Sequence, residues 1–496
     1  MRPIHAGKTK FWFTLALAVM TTLALATGAS ASKSQLSVLE DPGRILSVDP
    51  NVQNASLDEM KMLGTDIVKI PVLWRTIAPN GGSAVKPTID LTDPNAYPVG
   101  SWDVVDRAVS GALQRKMQVW LMITAPAPRW AVSREFSDFP GSYEPDANEY
   151  GRFAQAVGSR YGSVRYFSVW NEPNLSRYIQ PQRDGRTISS AVIYRGLFEK
   201  GRAGLLAAGR GNATIMFGEL LPHFSARRSN GVPPMEWLRA FFCLDKNGKR
   251  LSGSAARYQK CNGIKKVTAK GFAYHPYTWG AGPLKPMTKI VPDAAFIQSM
   301  HRIHTIMEQA AKAKRLSPRK IKVYNSEFGF QSNPPDRAQG VRISKIPLFL
   351  NASEYLSYID PRVATYSQYL IVDDAEIGSF QSGLRFVNGE KKAGVYAAYQ
   401  TPMMAIKGKT SRQVTIWGSV RTDQSGVVMV EIQTKNGSSW KTVAEVPVRT
   451  SRPYFNRKLS LSGASSKTFR LKWDGGVSRS SKPGKAPVAY KDPKKK

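Results

Sequence analysis

Short apolar runs of strand length alternate with amphipathic stretches along most of this chain. The runs are rich in β-branched and aromatic residues, and turn-forming residues bound them. They predict eight strands, near Leu36–Leu39, Ile67–Trp74, Gln118–Ile123, Arg165–Trp170, Ala213–Gly218, Lys270–His275, Ile321–Tyr324 and Thr365–Val372. Helical spacing is clearest at Leu57–Leu63, Val104–Gln114, Asn148–Arg160, Ser190–Ala208 and Asp293–Ala313. Strands alternating with helices predict a parallel α/β fold. A span of about 370 residues fits a (β/α)8 TIM barrel with loop insertions. A doubly wound open sheet is the rival, but its Gly-rich phosphate loop after the first strand is absent.

From about Val414 the pattern shifts to short alternating runs. Val414–Val420, Val427–Gln433, Thr442–Val448, Phe455–Leu461 and Thr468–Trp473 read as antiparallel strands, with a hairpin turn at Asn436-Gly437. The expected organisation is a barrel over residues 32–408, a small all-β sandwich over 409–476 and a basic, disordered tail over 477–496.

Two predicted strands end on a glutamate. The run Val164–Trp170 meets Asn171-Glu172-Pro173, where proline stops the strand. The run Ile321–Tyr324 meets Asn325-Ser326-Glu327, and Gly329 follows. The C-terminal strand ends of a (β/α)8 barrel form its active-site face. Two carboxyl groups held there are the minimum equipment for cleaving a glycosidic bond. Either glutamate taken singly also reads as an ordinary loop or helix-start residue.

Asn171-Glu172-Pro173 and Ser326-Glu327-Phe328-Gly329 resemble the strand-4 and strand-7 motifs of the clan A glycoside hydrolases. Within that clan the chain is most similar to secreted actinobacterial members of the family 5 and family 39 types, over roughly residues 35–405. The resemblance implies a retaining mechanism, with Glu172 as acid/base, Glu327 as nucleophile and Asn171 on the sugar 2-hydroxyl. Phe272–Tyr277 looks like the clan's strand 6, which implies that His275 and Tyr277 flank the nucleophile, Tyr277 hydrogen-bonding it. Two departures stand out. Lys69 occupies the strand-2 place where many relatives carry arginine, and lysine lacks arginine's bidentate fork. The strand-8 run Tyr366–Ile371 lacks the tryptophan that commonly floors the subsite before the cut.

The N-terminus carries Arg2, Lys8 and Lys10, an apolar core from Phe11 to Ala26, and Ala29-Ser30-Ala31. This predicts a signal peptide over residues 1–31 and a protein that is secreted, extracellular or cell-wall associated. An uncleaved anchor is the alternative. No later segment is long and apolar enough to span a bilayer. In such a compartment the two cysteines, Cys243 and Cys261, can pair as one disulfide between strands 5 and 6, or remain free thiols. The net charge of +35 favours polyanionic partners such as cell-wall polymers or uronic-acid polysaccharides. A merely solvated basic surface is the alternative. No recognised nucleic-acid motif accompanies the charge, so no specific nucleic-acid partner is implied. No metal or organic cofactor is implied either.

Trp74, Trp130 and Trp279 follow predicted strands and are candidates for stacking on sugar rings, with core packing as the alternative. Glu219 ends strand 5 and can contact substrate or pair with an arginine. Asp138, Glu144 and Asp373-Asp374 are loop carboxylates, ordinarily just solvated. His301 and His304 read as a solvated helix face. Gln331–Lys345 forms a loop beside the cleft, shaping entry or merely connecting. Trp417, Trp440 and Trp473 can serve the β module as a binding face or as core. The functional expectation is a retaining glycoside hydrolase on a β-linked polysaccharide or oligosaccharide. A non-catalytic polysaccharide-binding envelope protein is the alternative.

Overall fold

The computed structural model describes residues 34–222, 230–278, 282–284 and 292–490. The expected signal segment 1–31 and Trp279 lie outside them. Eight parallel strands close into a barrel: β1 (Leu36–Glu40), β2 (Ile67–Leu73), β3 (Gln118–Thr124), β4 (Tyr166–Val169), β5 (Thr214–Leu220), β6 (Gly271–Tyr274), β7 (Lys322–Asn325) and β8 (Val363–Tyr369). β1 closes the ring, pairing with β2 on one side and with β8 on the other. The intervening helices are α1 (Pro50–Met62), α2 (Asp103–Gln114), α3 (Ala147–Arg160), α4 (Ser189–Ala207), α5 (Pro234–Phe242), α6 (His301–Lys312) and α7 (Ile346–Ile359), and α8 (Val395–Gln400) follows β8. Cys243 and Cys261 are joined in the connection between β5 and β6, with Cα atoms 5.8 Å apart.

Strand alternation gives the barrel two unlike faces. Outward residues such as Val68, Ile70 and Leu121 pack under the helices. Inward residues Val38, Ile67, Trp120, Met216 and Ala273 fill the lower barrel. One layer up, the inward positions turn polar, with Lys69 on β2 and Ser168 on β4, both buried.

The helix expected over Asp293–Ala313 begins at His301, after a 3-10 turn at Ile297–Ser299. Helix α7 was not expected. It is apolar on nearly every side, because it is wedged between the barrel and the C-terminal module, so it shows little amphipathic period. His304 is buried, with Nε2 2.7 Å from Asp360 Oδ2, so the expected solvated histidine face is absent there.

The C-terminal module has two antiparallel sheets. Its strands are β9 (Met403–Lys407), β10 (Gln413–Gly418), β11 (Val427–Asn436), β12 (Ser439–Arg449), β13 (Phe455–Ser460), β14 (Phe469–Trp473) and the short β15 (Gly476–Val477). One sheet runs β9-β10-β13 and the other β12-β11-β14-β15. Val430, Ile432, Ile416 and Leu471 meet between them. β9 precedes the expected boundary at residue 409. Trp417 and Trp473 are buried core residues, and the Arg470 guanidinium lies 4.2 Å over the half-buried Trp440 ring.

Residues 477–490 depart from the expected disorder. Their backbone finds partners: on the edge of β9 Lys407 donates to Gly484 O at 2.8 Å, and Tyr490 donates to Gln298 O, in the 3-10 turn before α6, at 2.7 Å. Composition predicted a free tail, but unpaired ladder groups on a sheet edge capture such a segment.

Barrel and module are locked by a buried ion pair. Arg421 Nη2 lies 2.6 Å from Glu354 Oε1 on α7, and Tyr454 donates to the same oxygen at 2.7 Å. Removing one member of a buried pair strands the other's charge, at about 3–5 kcal/mol. Arg421→Ala is therefore expected to lower the urea-unfolding free energy by about that amount. A loss within about 0.5 kcal/mol, the range of ordinary surface changes, contradicts the role given to this joint.

Candidate active site

The polar layer of the barrel is organised around Glu219. Gly218 and Glu219 form a bulge in β5, where the register against β6 shifts. Gly218 has φ +116°, and a Cβ there would lie 2.3 Å from Ala273 O, so only glycine fits. Glu219 follows with φ +52°, which turns its carboxyl into the barrel. It is 0% exposed. Its Oε1 accepts from Ser168 Oγ at 2.6 Å, and its Oε2 accepts from Ser326 Oγ at 2.6 Å. The same Oε2 lies 2.8 Å from His275 Nε2 and 3.3 Å from Lys69 Nζ. Trp120 on the layer below donates to Ser168 at 2.9 Å, which fixes the serine.

Two further glutamates sit above this hub. Trp170 and Glu172 have φ of +68° and +36°, a strained end to β4. That bend lets the Glu172 backbone N–H donate to Glu219 O at 2.9 Å. The Glu172 side chain meets His275, with Oε1 2.9 Å from Nδ1. Glu327, just past β7, accepts from Tyr277 Oη at 2.7 Å. Its Oε2 is 3.5 Å from His275 Nδ1 and 4.0 Å from Lys69 Nζ. One carboxylate oxygen of Glu172 and one of Glu327 lie within 4.8 Å of each other and of a His275 nitrogen.

Burial disfavours every charge in this layer, and the neighbours decide which charges survive. Burial pushes the Glu219 carboxyl up, but Lys69, His275 and Ser168 more than reverse this and bring it down to about 2. Burial pulls His275 down, yet Glu327, Glu172 and Glu219 raise it from 6.5 to about 10. Lys69 is likewise held above its ordinary value by Glu219, Glu40 and Glu327 against burial. Glu172 is raised, first by burial and then by the Glu327 charge, with His275 pulling the other way. Glu40, at the end of β1, is pushed by burial to about 8, although Lys69 Nζ lies 3.0 Å from its Oε2.

Glu172, His275 and Glu327 have the donor types and closeness of a metal-ligand trio. The His275 ring is held between two carboxylates, with Nδ1 2.9 Å from Glu172 Oε1 and Nε2 2.8 Å from Glu219 Oε2.

A cleft of about 800 Å³ opens over the C-terminal strand ends. Asn171, Glu172, Tyr277 and Glu327 line it. Asn171 Oδ1 is buried there without a hydrogen-bond partner. Gln331, Gln339 and Val341, from the loop after β7, line one rim, and Asp374 lines another. Several candidates are not there. Trp74 is buried among Trp130, Tyr150, Phe153 and Trp170. Trp130 is half-buried against the same core and donates to Pro79 O at 3.1 Å. The turns after β2 and β3 send these rings outward to the helix layer. Glu219 is paired with a lysine rather than an arginine, and it and His275 lie beneath the cleft rather than in its wall. Glu144 accepts from Ser133, and Asp373 pairs with Lys392 at 2.7 Å. Glu40 and Phe380 are among the lining residues that escaped the reading of the sequence. Glu40 carries the strand-end signature already used for Glu172 and Glu327, an acid closing an apolar run. Phe380 comes from an irregular loop and has no such signature.

No family model matches the chain, and no curated protein matches it. Among solved structures, a glucosidase from Croceicoccus marinus aligns at 10% identity over 91% of this chain and 97% of its own, with a TM-score of 0.50. A monomeric β-xylosidase from Caulobacter crescentus CB15 aligns at 13% identity over 91% and 96%, with a TM-score of 0.49. Endo-glycoceramidase II from Rhodococcus sp. aligns at 12% identity over 87% and 99%, with a TM-score of 0.42. The fold is that of the clan A (β/α)8 glycoside hydrolases. At these identities the likeness is one of fold.

The two opposite shifts bracket stability. The raised His275 contributes stability that is full below 6.5 and lost as pH rises through about 10. The lowered Glu219 contributes stability that is full above 4.5 and lost as pH falls through about 2. In a protein carrying ¹⁵N-labelled histidine, the His275 ring is expected to titrate near 10. Titration near 6.5 contradicts the network.

Proposed function

We propose that this chain is a secreted retaining glycoside hydrolase acting on β-linked oligosaccharides or polysaccharides. The observation that carries the reading is the approach of Glu172 and Glu327 to within 4.8 Å across the cleft. Retaining enzymes hold their carboxyl groups about 5–5.5 Å apart, whereas inverting enzymes leave about 6.5–9.5 Å for a water. The unlike settings of the pair support the same reading. Glu172 is raised by burial and by the Glu327 charge, the direction the acid requires. Glu327 faces Tyr277, His275 and Lys69, all donors.

In this scheme the Glu327 carboxylate attacks the anomeric carbon while Glu172 gives its proton to the departing glycosidic oxygen. The carbon–oxygen bond breaks and a glycosyl ester forms on Glu327. Glu172, now a carboxylate, is stabilised by the His275 imidazolium 2.9 Å away. It then takes a proton from an entering water, whose oxygen attacks the anomeric carbon and releases Glu327. Two inversions restore the starting configuration. The unpartnered Asn171 Oδ1 accepts from the sugar 2-hydroxyl. No step calls for a metal or an organic cofactor. The +35 charge holds the exported protein to anionic wall polymers. Among the described residues no helix is long and apolar enough to cross a membrane.

Glu327→Gln is expected to remove turnover of aryl β-glycosides, by about 10⁴-fold or more, with the circular dichroism unchanged. Glu172→Gln is expected to lose about 10²–10⁴-fold, most on poor leaving groups. Proton NMR of early product from the wild type should show the β anomer first. Wild-type rates in Glu327→Gln, or the α anomer first, contradict the proposal.

A further inference from the structure

Phe380 is a large apolar ring left 43% exposed, and it lines the cleft. It is not a loose loop tip. Asp374 Oδ2 accepts from the Phe380 backbone N–H at 3.1 Å and from Ser379 Oγ at 2.5 Å. The Gln381 side chain donates to Asp374 O and Glu376 O, and its backbone N–H donates to Gln331 Oε1. Tyr369, at the tip of β8, packs edge-on against Phe380 with centroids 5.0 Å apart. The loop therefore presents one fixed ring at the end of the strand where the expected tryptophan is missing.

Beside it, on the neighbouring strand β1, stands Glu40, in register with Tyr369. Its Oε2 lies 3.0 Å from Lys69 Nζ, and the residue lines the cleft. The same ammonium lies 4.0 Å from Glu327 Oε2, so Glu40 stands beside the group that would carry the sugar. In either protonation state the carboxyl oxygen not turned to Lys69 can pair with a sugar hydroxyl, accepting when bare and donating when protonated. Among the described residues the lining holds Glu40, Glu172, Glu327, Asp374 and Glu376, against Arg177 as cation. The loop that carries Phe380 brings Asp374 and Glu376 to the cleft beside Glu40, which disfavours an anionic ring at that wall.

We propose that Phe380 and Glu40 are the specificity-determining walls of the sugar subsite, and that they select an uncharged pyranoside over a uronate. Phe380 takes the apolar ring face, and Glu40 Oε1 takes a ring hydroxyl. This inference rests on the hydrolase reading and narrows its substrate class.

The test compares wild type, Phe380→Ala, Glu40→Gln and Glu327→Gln on nitrophenyl β-glucoside, β-galactoside, β-xyloside and β-glucuronide. Expected is turnover of a neutral glycoside with the glucuronide poorest. Phe380→Ala should raise KM about tenfold with a smaller change in kcat. Glu40→Gln should change the ratio of kcat/KM between neutral sugars by about tenfold or more. A merely structural Glu40 would lower all sugars alike, and that outcome overturns its role. A preferred glucuronide, or a KM unmoved in Phe380→Ala, also overturns the inference while leaving the hydrolase reading intact. Turnover that persists in Glu327→Gln defeats the two-glutamate retaining reading instead. If the wild type turns over none of the four, calorimetric titration of Glu327→Gln decides. Binding of neutral cello- or xylo-oligosaccharides that weakens in the Phe380→Ala double variant supports the walls. Preference for oligogalacturonide, or no binding of any of them, overturns the proposal.

Discussion

The site depends on one buried carboxylate. Glu219 has no access to solvent, and a lone charge there would be expensive. It is tolerated because two serine hydroxyls, an imidazolium and an ammonium surround it. In turn it fixes those partners. His275 is held between Glu219 and Glu172, and Lys69 among Glu219, Glu40 and Glu327. The Gly218 bulge sets the aim of Glu219, so a backbone irregularity in β5 controls the side chains of β2, β4, β6 and β7.

This arrangement separates two chemically identical glutamates. Both sit near the His275 ring, but Glu172 has Nδ1 at 2.9 Å while Glu327 has it at 3.5 Å and takes the Tyr277 hydroxyl as well. Glu172 is driven by burial towards its protonated form. A carboxyl pushed towards protonation on one side of the cleft and an anion's worth of donors on the other are what double displacement needs. Lys69 lies below Glu327, 4.0 Å from its Oε2, on the strand where the resemblance expects an arginine. A compact ammonium can be shared among three carboxyls in a barrel interior, where a planar guanidinium would need more room.

The fold was largely legible because a parallel barrel writes itself as repeated apolar runs. All eight strands lie where the runs predicted, within a few residues. Helix α7 was illegible because burial on nearly all sides erases amphipathic period. At the site, Glu172 and Glu327 were legible as acids closing apolar runs, and His275 and Tyr277 through the resemblance. The tryptophans misled because a strand-end aromatic points to the cleft or to the helix layer according to a register the sequence does not display. Glu219 could not be placed correctly, since a bulge inverts the facing that strict alternation implies. Phe380 depends on a loop closed by its own side-chain hydrogen bonds, which carry no period at all.

The most direct measurement is mass spectrometry of the intact protein, and then of its peptides, after incubation with activated 2-deoxy-2-fluoro β-glycosides, which form a glycosyl ester but release it slowly. The account predicts one added sugar per chain, on the peptide that contains Glu327 and absent in Glu327→Gln. A sugar attached to any other residue, or hydrolysis that proceeds with no adduct on Glu327, would contradict it.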